Sequence, residues 1–383
     1  MKIAIIGSGI SGLSAAWLAK NKYNVTLFEK QNRFGGHSNT IEVNHHGNII
    51  SVDTGFIVYN DKNYPNLVNL FKTLNVPTIK SNMSFSVSID EGEIEYEGSL
   101  IGICAKISNI FDYKIWVMLK GLLSFYINAL DKTKTMNNYE SLRVFLHKNN
   151  FPKEFIYYHL LPMCSSIWSC PEKQMLEYPA QSLINFMENH QLLNFFSRPK
   201  WKTVNGGSKI YVQKIINGLK NNALKNINIT RVKRYNNNVI IITEKGEKLI
   251  FDKVIFACPP HEALKIIETP TKLEKDILEK FNFHKNKIYV HSDQTLMPKK
   301  KLAWAAWNYI GNSTSKNSNS LTYWMNKLQN IDDKYPIFVT LNPHKIPKNH
   351  SIFQKLNYYH PIFSKDTLIS QENLYKIQGK NNS

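Results

Sequence analysis

The chain has 383 residues, 43% of them hydrophobic, which is enough for a large buried core and two or three domains. Its formal charge is +19, but only five of the 48 basic residues are arginine and the lysines are dispersed. That pattern argues against a nucleic-acid reader and leaves a diffuse attraction for anionic lipid. The four cysteines, Cys104, Cys164, Cys170 and Cys258, have no zinc-like or CxxC spacing and read as reduced thiols of a cytosolic protein.

Lys2 to Ile6 is an apolar run, and Gly7-Ser8-Gly9-Ile10-Ser11-Gly12 follows at once. Gly7 and Gly9 break the run after five residues, so a glycine fingerprint explains it better than a signal peptide does. Leu13, Ala16 and Trp17 recur at helical spacing, and Val25 to Phe28 is a second apolar run ending at Glu29. Strand, glycine turn, helix, strand and acid in this order open a dinucleotide-binding βαβ unit. Gly7 permits the tight turn, Gly9 lets backbone approach a pyrophosphate, and Gly12 lets the helix pack closely. The helix N-terminus offers free N–H groups to the anion. Glu29, 22 residues after Gly7, is placed to accept hydrogen bonds from a ribose diol.

The next segment, Lys30-Gln31-Asn32-Arg33-Phe34-Gly35-Gly36-His37-Ser38, adds an arginine and a Gly-Gly pair beyond the acid. Here the sequence resembles the FAD-dependent amine oxidase superfamily, whose members continue the fingerprint into an R-x-G-G arm. The resemblance implies Arg33 near the pyrophosphate and Gly35-Gly36 close to the ribityl and flavin. It implies further flavin contacts from Thr54, Gly55 and Phe56 in the D-x-G segment that begins at Asp53. Tyr59 and Asn60 are candidates to face substrate and also read as ordinary structural residues.

A helix is expected from Tyr64 to about Leu74, with Leu67, Leu70, Phe71 and Leu74 at core spacing. Alternation of Met83, Phe85, Val87 and Ile89, then Ile94 and Tyr96 after Glu91-Gly92, predicts a hairpin opening a second domain. Residues 100–200 are mostly helical in pattern. The apolar stretch 115–130 is too short to span a bilayer; it reads as a core helix, with a monotopic membrane contact as the alternative.

Trp201 to Ser208 contains the V-x-G-G segment that in the superfamily opens a helix under the flavin domain, here residues 209–219. A strand is expected over 227–232, where the resemblance places adenine on the backbone of Val232. Residues 239–243 and 249–251 read as a hairpin. Residues 252–260, which include Ala257, read as a buried strand like the superfamily's D-x-V-I-x-A-x-P strand.

A narrower resemblance is to bacterial FAD-dependent oxidoreductases often associated with cyclopropane-fatty-acid synthases. It rests on Gly36-His37-Ser38, Ile167-Trp168-Ser169, Trp201 with Thr203 to Ser208, His291-Ser292-Asp293, Trp304 to Tyr309, Tyr323 to Asn326, Val339 to Pro343 and His360-Pro361. It implies an α/β fold, a Rossmann-like FAD/NAD(P)-binding domain with an inserted mixed-sheet and helical substrate domain. The cofactor domain is expected at 1–75 and 200–265, the substrate domain at 76–199 and 266–383.

The implied cofactor is noncovalent FAD, in contact with Gly7, Ser8, Gly9, Ile10, Ser11, Gly12, Glu29, Lys30, Arg33, Gly35, Gly36, His37, Ser38, Thr54, Gly55, Phe56, Val232 and Ala257. The implied reaction is hydride removal from a lipid acyl chain, by a protein in peripheral contact with an anionic membrane. No metal is expected. Catalysis needs little from side chains beyond aligning a C–H bond in a dry pocket. Lys287, His291 and Asp293 are the candidates for a direct role, and each also reads as an ordinary strand residue. An amine oxidase and a non-catalytic flavoprotein subunit are the alternatives; a plain NAD dehydrogenase would leave the Gly35-Gly36 arm without a purpose. Superfamily members end in a glycine-rich flavin segment, and this chain stops at Gln378 to Ser383, where that segment begins. Three alternatives stay open: the sequence is a fragment, a partner chain supplies the piece, or cofactor binding is impaired.

Overall fold

The computed structural model of the chain describes residues 1–194, 199–312 and 319–383. Strand β1 (Lys2–Ile6), helix α1 (Ile10–Ala19) and strand β2 (Asn24–Phe28) form the first unit, with β1 and β2 parallel. The alternating side chains of β1 enter two different cores. Ile3 and Ile5 pack with Leu13 and Ala16 of α1, while Ala4 and Ile6 pack with Val232 and Val254. Burial on both faces is why the strand reads as an unbroken apolar run.

The chain then forms a hairpin, β3 (Thr40–His45) with β4 (Asn48–Asp53), a short strand β5 (Tyr59–Asn60) and helix α2 (Pro65–Thr73). Strand β6 (Thr78–Lys80) follows, then the hairpin β7 (Phe85–Ile89) and β8 (Ile94–Glu97). The alternation that predicts this hairpin marks Val87, Ile89, Ile94 and Tyr96 as core, and they are buried; Ser86 and Ser88 on the other face are buried too.

Seven helices come next: α3 (Leu100–Ile103), α4 (Tyr113–Thr133), α5 (Leu142–Lys148), α6 (Lys153–Phe155), α7 (Leu161–Trp168), α8 (Glu172–Leu176) and α9 (Ala180–Asn189). Most of them close on one core that includes Phe125, Phe145, Phe155 and Leu183. Only one stripe of α4 is buried, through Ile115, Met118, Gly121, Phe125 and Ala129. Its other face leaves Trp116, Leu123 and Ile127 exposed, so the stretch is amphipathic rather than a core helix on all sides.

Strand β9 (Trp201–Val204) joins β5 and β6 in a three-stranded sheet, and α10 (Lys209–Leu219) packs on α1. Strand β10 (Ala223–Leu224) extends the first sheet beside β2. An antiparallel trio follows: β11 (Ile229–Arg234), β12 (Val239–Thr243) and β13 (Lys248–Phe251). Strand β14 (Lys253–Phe256) then pairs parallel with β1, giving the order β10-β2-β1-β14. The strand expected to be buried at 252–260 is thus the sheet's last strand. Its outer residue Ile255 is 38% exposed, and Val254 donates its N–H to Asn382 at 2.9 Å.

Helices α11 (Pro260–Ile266) and α12 (Lys272–Leu278) lead to strands β15 (Phe283–His291), β16 (Trp307–Gly311) and β17 (Ser320–Trp324). After α13 (Met325–Gln329) come β18 (Phe338–Leu341), β19 (Ile352–Pro361) and α14 (Lys365–Asn373). The late strands and the early hairpin form one seven-stranded sheet, β19-β15-β18-β17-β16-β7-β8. It is antiparallel except where β16 lies parallel to β7.

Candidate dinucleotide site

The glycine turn has two kinds of glycine. Gly7 has φ +105°, and a Cβ there would overlap the carbonyl of Ala257; a Cβ on Gly12 would overlap the Gly7 carbonyl oxygen. Packing alone requires both. Gly9 is different, because its φ of −62° suits any residue and a Cβ there would meet nothing within 4 Å. Beyond Gly9, α1 begins without a side-chain cap, and its first bond runs from Leu13 N–H to Gly9 O. The N–H groups of Ile10, Ser11 and Gly12 therefore have no partner among the described residues. Open space beside uncapped amides at the positive end of a helix is a place for a phosphate.

Ser8 organises the floor of this turn. Its hydroxyl donates to Glu29 Oε2 at 2.5 Å and accepts the Gly35 N–H at 3.2 Å, and its own N–H reaches the same carboxylate oxygen at 3.1 Å. Glu29 Oε1 takes the Gln31 N–H at 2.9 Å. Three donors leave the carboxylate acceptor capacity for a ribose hydroxyl. Lys30 does not face the turn; its ammonium pairs with Glu262 of α11 at 2.7 Å.

The arm that follows lies against the turn. Gly36, at φ +59°, stands so near that a Cβ on it would come within 3.0 Å of Gly9 Cα. Arg33 donates to the Gly36 carbonyl at 2.9 Å, which ties the arm into a loop. Thr54 N–H to Asn39 O and Phe56 N–H to His37 O, both 2.9 Å, zip the D-x-G segment along the arm. Gly55 is required there because a Cβ would overlap the His37 carbonyl. Ser38 is buried and accepts from Tyr211 of α10 at 2.5 Å, a structural bond.

Asp53 fixes the same region from below. It accepts from Thr40 Oγ1 at 2.6 Å and from Ser208 N–H and Oγ at 2.9 and 2.7 Å, at the start of α10. Gln329 of α13 reaches it at 3.3 Å. Burial raises its pKa, and the bonds from Thr40 and Ser208 work against that rise.

At the end of the arm a cluster crosses to the seven-stranded sheet. The His37 ring stacks on His360 at 5.3 Å between centroids and lies 4.8 Å from Tyr358. The Tyr358 hydroxyl meets Thr54 Oγ1 at 2.6 Å and accepts Asn39 Nδ2 at 2.8 Å. Asn286 of β15 bonds His360 Nδ1 at 2.8 Å. Burial holds the His360 pKa down to about 4, with the neighbouring His37 and His284 adding to the shift. His37 keeps an open outer edge, yet surrounding protein and then the Arg33 charge keep its pKa below the ordinary value. The cluster is therefore neutral near pH 7. The sequence marks His37 and His360 through motifs; nothing local to Tyr358, Asn39 or Asn286 reveals that the fold unites them.

The three catalytic candidates are not part of this cluster. Lys287 is exposed on β15. His291 is fully buried, with Nε2 against Thr340 Oγ1 at 2.7 Å and Nδ1 accepting the Asp293 N–H at 3.1 Å. Asp293 caps the turn after β15 through Thr295 and also accepts the Lys348 N–H at 3.0 Å. His291 and Asp293 thus have architectural explanations in these bonds. Val232 is buried and its carbonyl accepts the Glu268 N–H at 3.0 Å. Ala257 faces Gly7 and Gly12 and closes the turn. Two surface grooves, of about 360 and 480 Å³, lie elsewhere, beside Tyr59 and Lys72 and beside Tyr139 and Gln371.

Residues 5–74 match the NAD(P)-binding Rossmann-like domain family. No curated protein matches the chain in sequence. Among solved structures, the fold is similar to a CLA-producing fatty acid isomerase from P. acnes, with TM-score 0.69 at 16% identity over 99% of this chain and 92% of that one. It is similar to putrescine oxidase bound to putrescine, with TM-score 0.62 at 14% identity over 100% and 79%. Cyclohexylamine oxidase from Brevibacterium oxydans gives TM-score 0.59 at 11% identity over 99% and 79%. At such identities the likeness is one of fold, a Rossmann-like α/β domain joined to a mixed-sheet and helical domain.

Proposed function

We propose that the chain is an FAD-dependent oxidoreductase that removes a hydride from an apolar substrate, a lipid acyl chain. The observation that supports it most is the path from Gly9 to His37. Uncapped α1 amides and open space at Gly9 suit a pyrophosphate, and the arm touching Gly9 continues to a cluster at the second sheet. A dinucleotide whose second half runs on along that arm fits it.

Bound FAD would supply a two-electron acceptor. The protein's own contribution is to hold and orient. The N–H groups of Ile10, Ser11 and Gly12 would bind the pyrophosphate, and Glu29 would take a ribose hydroxyl. The zipped pair of segments, 37–39 and 54–56, would form the wall along the flavin. Tyr358, His360 and Asn286 border that wall from the other sheet, and His37, held neutral, is able to accept a proton. The cluster of His37, His360, Tyr358, Thr54, Asn39 and Asn286 contains no carboxylate, which suits an uncharged acyl chain, whereas its aromatic rings would also accept an ammonium ion.

The test is anaerobic mixing of flavin-loaded protein with phospholipid extracts and with a panel of amines. Bleaching of flavin absorbance by lipid supports the reading. Bleaching by amines alone replaces it with amine oxidation.

A further inference from the structure

We propose that α3, the turn after it and the start of α4, with the neighbouring lysine-rich loop, dock on the surface of an anionic phospholipid bilayer. Seven large apolar side chains lie open here: Ile101, Ile107, Ile110, Phe111, Tyr113, Trp116 and Leu302, between 42% and 84% exposed. Scattered apolar residues are ordinary on a protein surface, but this many in one region mark a contact site.

They are held together by Glu95. Its main-chain carbonyl accepts the amide of buried Asn109 at 2.8 Å, and the same amide reaches Ile103 O at 3.0 Å, which ties the turn to α3. The carboxylate of Glu95 takes the N–H groups of Lys299 and Lys300 at 2.9 and 2.7 Å. The apolar turn and the run Lys299-Lys300-Lys301-Leu302 are thus fixed side by side, and residues 301–303 pack on α3. Trp116 Nε1 donates to Ile110 O at 2.8 Å, holding the indole over the preceding turn.

The charges favour one occupant. Residues 99–120 contain three lysines and one acid, Asp112, whose carboxylate caps α4 by accepting the Lys114 N–H at 2.8 Å. Glu91 and Glu93 on the adjoining turn pair with Lys299 and Lys114. Lys120, Lys300 and Lys301 remain exposed around the apolar side chains. Apolar residues ringed by lysine suit a headgroup layer that is negatively charged above and hydrocarbon below. Among the described residues no helix is long and apolar enough to cross a membrane, so the contact lies on the bilayer.

The inference is independent of the cofactor reading, and its test needs neither flavin nor substrate. Purified protein is sedimented with vesicles of phosphatidylcholine alone or mixed with phosphatidylglycerol. Binding is expected to the anionic vesicles, to weaken without phosphatidylglycerol, and to fall as salt rises. Phe111→Glu with Trp116→Glu should lower partitioning by roughly a hundredfold, since each aromatic is worth about tenfold. Lys300→Glu with Lys301→Glu should weaken only the anionic component. Circular dichroism should match the parent, because these side chains are exposed, and Phe111→Glu alone, which leaves the Trp116–Ile110 bond in place, should keep the parent's Tm and still lower partitioning by about tenfold. The proposal is overturned if the parent stays in the supernatant with anionic vesicles, or if the variants bind them as the parent does. It is equally overturned if the aromatic variants convert a dimer to a monomer without vesicle binding, which would make the face a contact between copies.

Discussion

Tyr358 and Thr54 are separated by 304 residues, and their hydroxyl oxygens lie 2.6 Å apart. The bond joins the last strand of the seven-stranded sheet to the segment zipped along the arm. Both residues are buried, and Tyr358 also accepts from Asn39. Tyr358→Phe leaves that Asn39 N–H without its partner, and urea denaturation should show a loss of about 1–3 kcal/mol. An unchanged midpoint would mean that the junction is not held by this hydroxyl.

Asp53 joins β4, the start of α10 and α13, so its removal should be felt across the molecule. Asp53→Ala strips the acceptor from Thr40 and Ser208 and should cost on the order of 3 kcal/mol. Asp53→Asn keeps one acceptor oxygen and should cost less. Equal losses in thermal unfolding would contradict the network described.

Arg234 and Glu274 form the most buried of the described ion pairs, with side chains 4% and 6% exposed. Glu274 also accepts the Thr271 N–H in a capping box at the start of α12. Burial acts to raise its pKa, but Arg234 and Thr271 outweigh that and hold it below the ordinary value. Arg234→Met strands a buried carboxylate and should cost about 3–5 kcal/mol. Adding Glu274→Leu should recover part of that loss in a double-mutant cycle.

Acid should destabilise the protein through His291. Burial lowers its pKa from 6.5 to about 4, against a smaller raising effect of Asp293. The unfolded chain therefore binds a proton that the folded chain refuses, and stability falls as pH drops from 6.5 towards 4. The full effect is on the order of 3 kcal/mol. His291→Asn offers an oxygen near the Nδ1 position and does not titrate, so its stability profile should be flatter over that interval. A profile as steep as the parent's would shift the cause to other groups, His360 first.

The first thirty-six residues are legible because each glycine acts on its near neighbours. Gly12, Gly35 and Gly36 meet backbone of the same short stretch, while Gly7 meets Ala257, just past the end of β14. Helix 209–219 is legible through the V-x-G-G segment that precedes it, and its buried face packs on α1. The Tyr358–Thr54 and Asn286–His360 contacts are not legible, because they depend on the register of strands far apart in sequence. The i, i+2 spacing of His291 and Asp293 invites a catalytic reading. Their bonds to Thr340, Thr295 and Lys348 become visible only once β18 and the loop before β19 are placed. The apolar run 115–130 cannot by itself say which of its faces remains open, since that depends on where Phe155 and its neighbours pack.

The most direct test of the central claim is FAD titration of the parent protein and of Gly9→Val, followed by flavin absorbance, with the Tm of each measured without FAD. Gly9 has ordinary backbone angles and open space beside it, so Gly9→Val should fold with the parent's Tm. The parent should bind FAD noncovalently, and Gly9→Val should lose at least about a hundredfold in affinity, because the valine side chain fills the phosphate position. Equal FAD binding by both proteins, or a parent that ignores FAD and binds NADH tightly, would contradict it.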